Sequence, residues 1–252
     1  MNTILEGRGI VKTFGDFTAL HGIDLRLEPG RTLGVVGESG SGKSTLGRIV
    51  MRLMKPDAGT VLLGGRDLFA LSRSQLRRAR RDFQLVPQDP RNALNPTATV
   101  GESMMFQLAA QGVARREWRT RIDDLLQTVS LSGDYAHAYP HELSGGQAQR
   151  VAIARAIAGR PRLLVCDEAV SALDKSVQAQ VLNTFAELQS GLGVALFFIT
   201  HDLAVVEHIA DDLLVLNRGR AVEEGPTVDV LRAPSDPYTR ELLAARHPIP
   251  AA

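Results

Sequence analysis

Between Gly37 and Thr45 the chain reads GESGSGKST, and this stretch restricts the possible fold more than any other. An apolar run, Thr32 to Val36 (TLGVV), precedes it, and a segment with helical character starts near Ser44. A strand, a glycine turn and a helix in that order match G-x-x-x-x-G-K-[ST]. Glycines let main-chain N–H groups wrap an anion, and the first helical turn adds partial positive charge. In such a loop, formed by Gly37, Glu38, Ser39, Gly40, Ser41, Gly42, Lys43, Ser44 and Thr45, the lysine reaches β- and γ-phosphates. The Ser44 hydroxyl is then a ligand for Mg²⁺. A chance glycine turn would leave the flanking strand, the helix and the Lys-Ser pair unexplained.

The surrounding pattern asks for an α/β fold. Ile23, Leu25 and Leu27 alternate with polar residues, and Pro29-Gly30 ends that strand. Gly59 to Leu63 and Phe83 to Val86 are further short strands. From Val100 to Tyr139 the pattern becomes helical and polar, as expected of a helical subdomain. Apolar runs return at Leu163–Cys166, Ala195–Thr200 and Leu213–Leu216 with helical stretches between them, which predicts parallel βαβ units. From Pro234 onward the spacing predicts one short helix and a loose terminus.

Composition narrows the function classes. Lys and Arg number 29 against 28 Asp and Glu, so no global field draws the chain to nucleic acid. One cysteine, Cys166, rules out an internal disulfide and a cysteine-ligated cluster. The first ten residues, MNTILEGRGI, carry an acid and lack the apolar core of a signal peptide. The most apolar stretch, Val194–Ile199, is far short of the roughly 20 residues that span a bilayer.

Two more motifs carry chemistry. Leu163–Glu168 (LLVCDE) is an apolar strand ending in two acids. A carboxylate at a strand's carboxyl edge can hold Mg²⁺, which suits Asp167, and the next acid, Glu168, can polarise an attacking water. Leu143–Gln147 (LSGGQ) opens the helical run AQRVAIARAIAG. Ser144 is a good N-cap and Gln147 its capping-box partner. Capping alone does not require Gly145 and Gly146, which weaken a helix. They suit close approach of backbone N–H groups to an anion, which would make a second, separate phosphate site.

With these motifs in order, the whole chain resembles the nucleotide-binding subunit of an ATP-binding cassette (ABC) transporter. The resemblance implies a P-loop NTPase with a RecA-like core, an antiparallel β subdomain and an inserted helical subdomain at about 89–160, together filling residues 1–233. It implies ATP and Mg²⁺ as cofactors, and a dimer in which the LSGGQ of one subunit caps the γ-phosphate on the Lys43 loop of the other. By the same resemblance Phe14 stacks on adenine, Gln88 contacts Mg²⁺ and water, Asp174 belongs to the loop crossing between subunits, and His201 contacts the γ-phosphate. Gln88 would then join Ser44 and Asp167 as a metal ligand, and Lys43, Gln88, Glu168 and His201 would carry catalysis. Two departures are Ala148, where Arg is common, and Ala169-Val170, where Pro-Thr is frequent.

Gln88–Glu102, Ser171–Leu182 and the tail DPYTREL (Asp236–Leu242), part of an extension at 234–252, resemble the oligopeptide, dipeptide and nickel importer branch, and the length resembles its shorter ATPase subunit. That implies a sister ATPase subunit (a heterodimer, or else a homodimer), two transmembrane permease subunits and an extracytoplasmic binding protein. It also implies a peripheral position on the cytoplasmic face of the inner membrane. The expected cargo is a peptide, with nickel or a metal chelate as the alternative. A soluble cassette ATPase acting on DNA or the ribosome is the rival reading, but this sequence shows none of the coiled-coil insertion, second cassette or strongly basic surface usual there. Arginines at 73, 77, 78, 80 and 81, and at 115, 116, 119 and 121, form either solvated faces or contacts to anionic headgroups.

Overall fold

The computed structural model describes residues 3–245. The chain opens with β1 (Leu5–Phe14), β2 (Phe17–Leu27), β3 (Thr32–Val36), α1 (Lys43–Val50), β4 (Ala58–Leu63) and β5 (Arg66–Asp67). It continues through α2 (Arg73–Ala79), β6 (Phe83–Val86), α3 (Val100–Gln111), α4 (Trp118–Thr128), α5 (Gly145–Ile157), β7 (Leu163–Asp167) and α6 (Lys175–Leu192). It closes with β8 (Ala195–Ile199), α7 (Leu203–Ile209), β9 (Asp212–Asn217), β10 (Arg220–Pro226), α8 (Thr227–Arg232) and α9 (Pro237–Ala244). Contacts divide it into two compact units, one up to Leu71 and from Ala195 onward, the other Ser72–Val194.

The first unit holds an antiparallel sheet in the order β2-β1-β4-β5 and the run β10-β9-β3-β8. In β2 the predicted alternation is met: Ile23, Leu25 and Leu27 are buried and the residues between them exposed. β3 pairs in parallel with β8 and β9, all five of its residues buried. A Cβ on Gly34 would lie 2.8 Å from Val206 Cγ1, so the missing side chain lets α7 lie flat on β3. The predicted parallel pairing holds for β8 and β9, and one further strand that was not predicted follows them. β10 runs antiparallel to β9, because Arg218 and Gly219 both take positive φ (47° and 76°) and fold Asn217–Arg220 into a tight hairpin. Val36, Leu203, Val206, Leu213, Val215 and Val230 form the core beneath these strands, and Tyr238, Leu242 and Leu243 of α9 pack on it. The predicted tail helix is therefore α9; the loose terminus expected after it lies outside the described residues.

In the second unit β6 and β7 pair in parallel, Phe83 opposite Leu163 through Val86 opposite Cys166. The helical stretch expected at 100–139 is α3 and α4, the first started by a capping box of Thr99 and Glu102. The unit is wider than the helical insertion expected at 89–160, since β6, β7 and α6 belong to it as well. Nine residues of α5 are buried, Ala148 among them, so that position holds a small apolar side chain inside the fold.

Candidate functional site

In the first unit the glycine loop leaves the carboxyl edge of β3 and enters α1. Gly37 has φ +151°, and a Cβ there would sit 2.1 Å from Leu216 O. Gly42, the N-cap of α1, has φ +105°, and its Cβ would meet Ala19 O at 2.8 Å. Both positions exclude any side chain, so the two end glycines of the motif are structural requirements. Gly40 differs: at φ +81° a Cβ would meet nothing within 4 Å, so the loop is open on that side, and Glu38, Ser39 and Gly40 are exposed.

Lys43 is 4% exposed, and its ammonium curls back over the loop. Nζ donates to Gly37 O and Glu38 O, each at 2.7 Å, and to Ser41 Oγ at 3.4 Å. Ser44 and Thr45 are half-buried on the first turn of α1. The β9–β10 hairpin braces the loop, Gly219 N donating to Ser41 O at 3.0 Å. His201 follows β8 beside the same edge, where Thr200 N donates to Val35 O at 3.1 Å, and it is exposed. Asp202 then caps α7 through Ala204 N at 2.9 Å.

Phe14 sits at the tip of the β1–β2 hairpin, 46% exposed and opposite Phe17, which is 63% exposed. The Lys12 ammonium stands 5.4 Å over the Phe14 ring and pairs with Asp57 at 3.0 Å. The Thr13 N–H and the Lys12 ammonium together hold the Asp57 carboxyl below its ordinary range. The FGDF spacing thus places two aromatics astride one turn.

In the second unit the register of β6 and β7 decides the arrangement. Gln88 lies two residues beyond Val86 and Glu168 two beyond Cys166, and those residues are paired. The equal offsets bring Gln88 Nε2 to 3.1 Å from Glu168 Oε2 and 3.5 Å from Ser171 Oγ. Ser171 Oγ in turn donates to Glu168 O at 3.0 Å. Glu168 has φ +49°, a left-handed conformation that costs a non-glycine residue on the order of 1–3 kcal/mol. Such strain persists where the surroundings over-determine it, as these bonds do. Asp167, at the end of β7, is half-buried. Just before it, burial pushes the Cys166 thiol well above its ordinary value, with the Asp167 charge adding to the effect.

Ser144 caps α5 as expected, its Oγ accepting from Gln147 N at 3.2 Å while Gln147 Oε1 accepts from Ser144 N at 2.8 Å. The two glycines that follow have different surroundings. Gly145 is exposed and a Cβ there would stand 3.6 Å from Leu173 Cδ2, an ordinary contact. Gly146 is buried, and its Cβ would lie 2.3 Å from Val177 Cγ1 on α6. Asp174 caps α6, Oδ1 accepting from Ser176 N at 3.1 Å and Val177 N at 3.0 Å. The Val177 N–H and the Ser176 hydroxyl hold its carboxyl below the ordinary range.

Two further residues escaped the sequence reading. Arg91 Nη2 donates to Leu143 O at 2.7 Å, tying the Gln88 loop to the LSGGQ segment. Tyr135 Oη accepts from Gln147 Nε2 at 2.7 Å. Arg91 stands inside QDPRN, a motif already singled out; Tyr135 carries no local signal.

Among known proteins, the family described as ABC transporter matches residues 20–171. The di/tripeptide transport ATP-binding protein DppF of Pseudomonas aeruginosa is 44% identical over 247 residues, covering 96% of this chain and 76% of that protein. The oligopeptide transport ATP-binding protein OppF of Escherichia coli is 42% identical over 272 residues, covering 99% and 81%. Among solved structures, the ATP-binding cassette MJ0796, in a dimeric post-hydrolysis state bound to ADP and Pi, superimposes with a TM-score of 0.77 at 28% identity, covering 88% of this chain and 98% of that one. The glycine loop, the strand ending in paired acids and the capped LSGGQ helix thus stand in a chain that belongs to the ABC transporter family, and it is an ATPase whose hydrolysis is coupled to transport.

Proposed function

We propose that this chain is the ATPase subunit of a peptide importer, working as one half of a cassette dimer at the cytoplasmic face of the membrane. Relatives named for di/tripeptide and oligopeptide transport support the cargo. The observation that carries the mechanism is that the chain has two separate glycine-bearing helix starts. One is the Lys43 loop before α1 and the other the Ser144–Gln147 turn before α5, each on its own compact unit. In this reading each nucleotide takes the Lys43 loop from one subunit and the exposed Gly145 turn from the other. Phe14 stacks on the adenine.

Of the residues read as metal ligands, Gln88 and Asp167 of the second unit offer an amide oxygen and a carboxylate, and Ser44 of the first offers a hydroxyl. Among the described residues no cluster of three or more His, Cys, Asp or Glu could cage a metal. A sparse oxygen set of this kind fits Mg²⁺, which keeps several waters and binds phosphates in place of protein cages. When bound, Mg²⁺ neutralises phosphate charge as it develops. Lys43 supplies positive charge at the β- and γ-phosphates. Glu168, its carboxylate fixed by Gln88 Nε2, accepts a hydrogen bond from the attacking water and orients it in line. His201 steadies the γ-phosphate.

Gln88 and Arg91 share one short loop, so movement of that loop reaches Glu168 at one end and the LSGGQ turn at the other. Beside the loop, α3 exposes Met105 (37%) and Phe106 (72%), and Phe106 lines a groove with Gln84, Asn95, Ser103 and Arg155. A permease subunit docks there in this reading. Among the described residues no helix is long and apolar enough to cross a membrane.

Glu168→Gln keeps the hydrogen-bonding shape and removes the carboxylate charge. With MgATP it should elute as a stable dimer and hydrolyse at least about a hundredfold more slowly. A variant that stays monomeric with ATP and keeps its rate would overturn the mechanism. Uptake of labelled di- and oligopeptides by cells carrying the whole transporter, lost with Lys43→Ala, tests the cargo.

A further inference from the structure

The peptide group joining Gly37 to Glu38 is held at both ends. Its carbonyl accepts from Lys43 Nζ at 2.7 Å, and its N–H donates to Tyr238 Oη at 2.9 Å. The two groups of a trans peptide point in opposite directions, so the phenol grips the loop on the side away from the ammonium. Tyr238 lies 200 residues along the chain, on α9.

That helix has a built seat. Glu223 on β10 accepts from Ser235 N at 2.7 Å, Ser235 Oγ at 2.9 Å and Asp236 N at 3.3 Å. Asp236 caps α9 through Tyr238 N at 2.8 Å. Arg240 returns to Pro234 O at 3.1 Å and Ser235 O at 2.7 Å. The Tyr238 ring, with Leu242 and Leu243, lies on the core that includes Val36, the last residue before the loop.

We infer that Tyr238 is a positioning residue for Lys43, and that α9 is the strap that holds the phosphate loop in its nucleotide-binding shape. An N–H that is accepted polarises its peptide and makes the carbonyl at the other end a better acceptor. The phenol also opposes rotation of the Gly37–Glu38 peptide, which would swing the carbonyl off the ammonium and release Lys43 from its place over the loop. Gly37 is the point where such rotation is easiest, having no side chain to resist it. The DPYTREL tail thereby acquires a task in the ATPase cycle, and any partner that lifts α9 would loosen nucleotide binding. This inference rests on the reading of Lys43 as the phosphate-binding lysine.

The test is Tyr238→Phe in the full chain, which keeps the ring and removes the acceptor. Glu38 is exposed and water can replace the phenol in part, so the loss should be graded. The KM and Kd for ATP should rise about threefold to tenfold. The kcat should stay within about twofold, the melting temperature should hold, and the Glu38 amide should exchange faster while α9 amides do not. Unchanged ATP affinity in Tyr238→Phe would overturn the inference. If the variant melts markedly lower, Glu223→Gln decides, since it loosens the seat but keeps the phenol: a raised KM supports the strap, an unchanged one overturns it. Lys43→Ala separates the two levels. If it keeps ATP affinity, the underlying reading falls with the inference; if it loses affinity while Tyr238→Phe does not, the inference alone falls.

Discussion

Gln88 Nε2 donates to Glu168 Oε2 across 3.1 Å, a bond between residues 80 apart in sequence that stand at equal offsets beyond two paired strands. Neither side chain needs the other to stay in place by covalent means, so the bond reports the register of β6 on β7. Through Ser171 the same cluster reaches the backbone of Glu168, the residue in left-handed conformation.

Removing the amide should therefore leave nucleotide binding and slow the chemistry. In Gln88→Ala the carboxylate loses its orientation, and kcat should fall about tenfold, which corresponds to about 1.4 kcal/mol in the barrier. The Kd for ATP, followed by equilibrium titration, should move less than about threefold. A rise in Kd with unchanged kcat would place Gln88 in ground-state binding.

The two glycines of LSGGQ should separate cleanly on substitution. Gly146→Ala puts a methyl 2.3 Å from Val177 Cγ1 and should destabilise by about 1–3 kcal/mol, read as a lower melting temperature. Val177→Ala in the same chain should restore most of that loss. Gly145→Ala meets nothing closer than 3.6 Å and should leave stability level or slightly higher, since alanine favours a helix by roughly 0.5–1 kcal/mol. Its ATPase rate should nevertheless fall, because the methyl stands on the exposed turn read as approaching phosphate.

Phe14 and Phe17 flank one turn, and adenine stacking is assigned to Phe14 alone. Loss of one base–aromatic stack is worth about 1–3 kcal/mol, so Phe14→Ala should weaken ATP binding about fivefold or more. Phe17→Ala should change it little. Equal losses in a fluorescent-nucleotide titration would assign stacking to both rings.

The seat of α9 should show in the pH dependence of stability. Burial raises the Glu223 carboxyl, but the neighbouring Thr239 hydroxyl and the hydrogen bonds from Ser235 and Asp236 outweigh it and hold the carboxyl below its ordinary value. A depressed carboxyl contributes stability that is present above its unfolded value and lost as pH falls through its folded one. Wild type should thus melt above Glu223→Gln at neutral pH, and the gap should shrink once pH drops below 4.5 and close at still lower pH. Melting curves taken in parallel from pH 7 downward would read this directly; a gap that widens on acidification reverses the assignment.

The features legible from residue order alone are local. Glycines at 37 and 42, an apolar strand before them and Lys43-Ser44 after them specify a loop, because backbone conformation and the first helical turn depend on near neighbours. The capping box at Ser144 and Gln147 and the alternation in β2 are legible for the same reason. The hairpin that turns β10 antiparallel had a signal in Asn217-Arg-Gly-Arg220, and the tail motif pointed to Tyr238 without saying what it touches. Which distant residues meet depends on how the strands and helices pack. Gln88 reaches Glu168 because β6 and β7 pair in one register and no other, and Gly146 is small because α6 brings Val177 against it. Tyr238 reaches Glu38 because α9 folds back onto the core under β3. Contacts between distant segments follow from sheet register and helix packing, which sum over many residues and leave no mark at any single position.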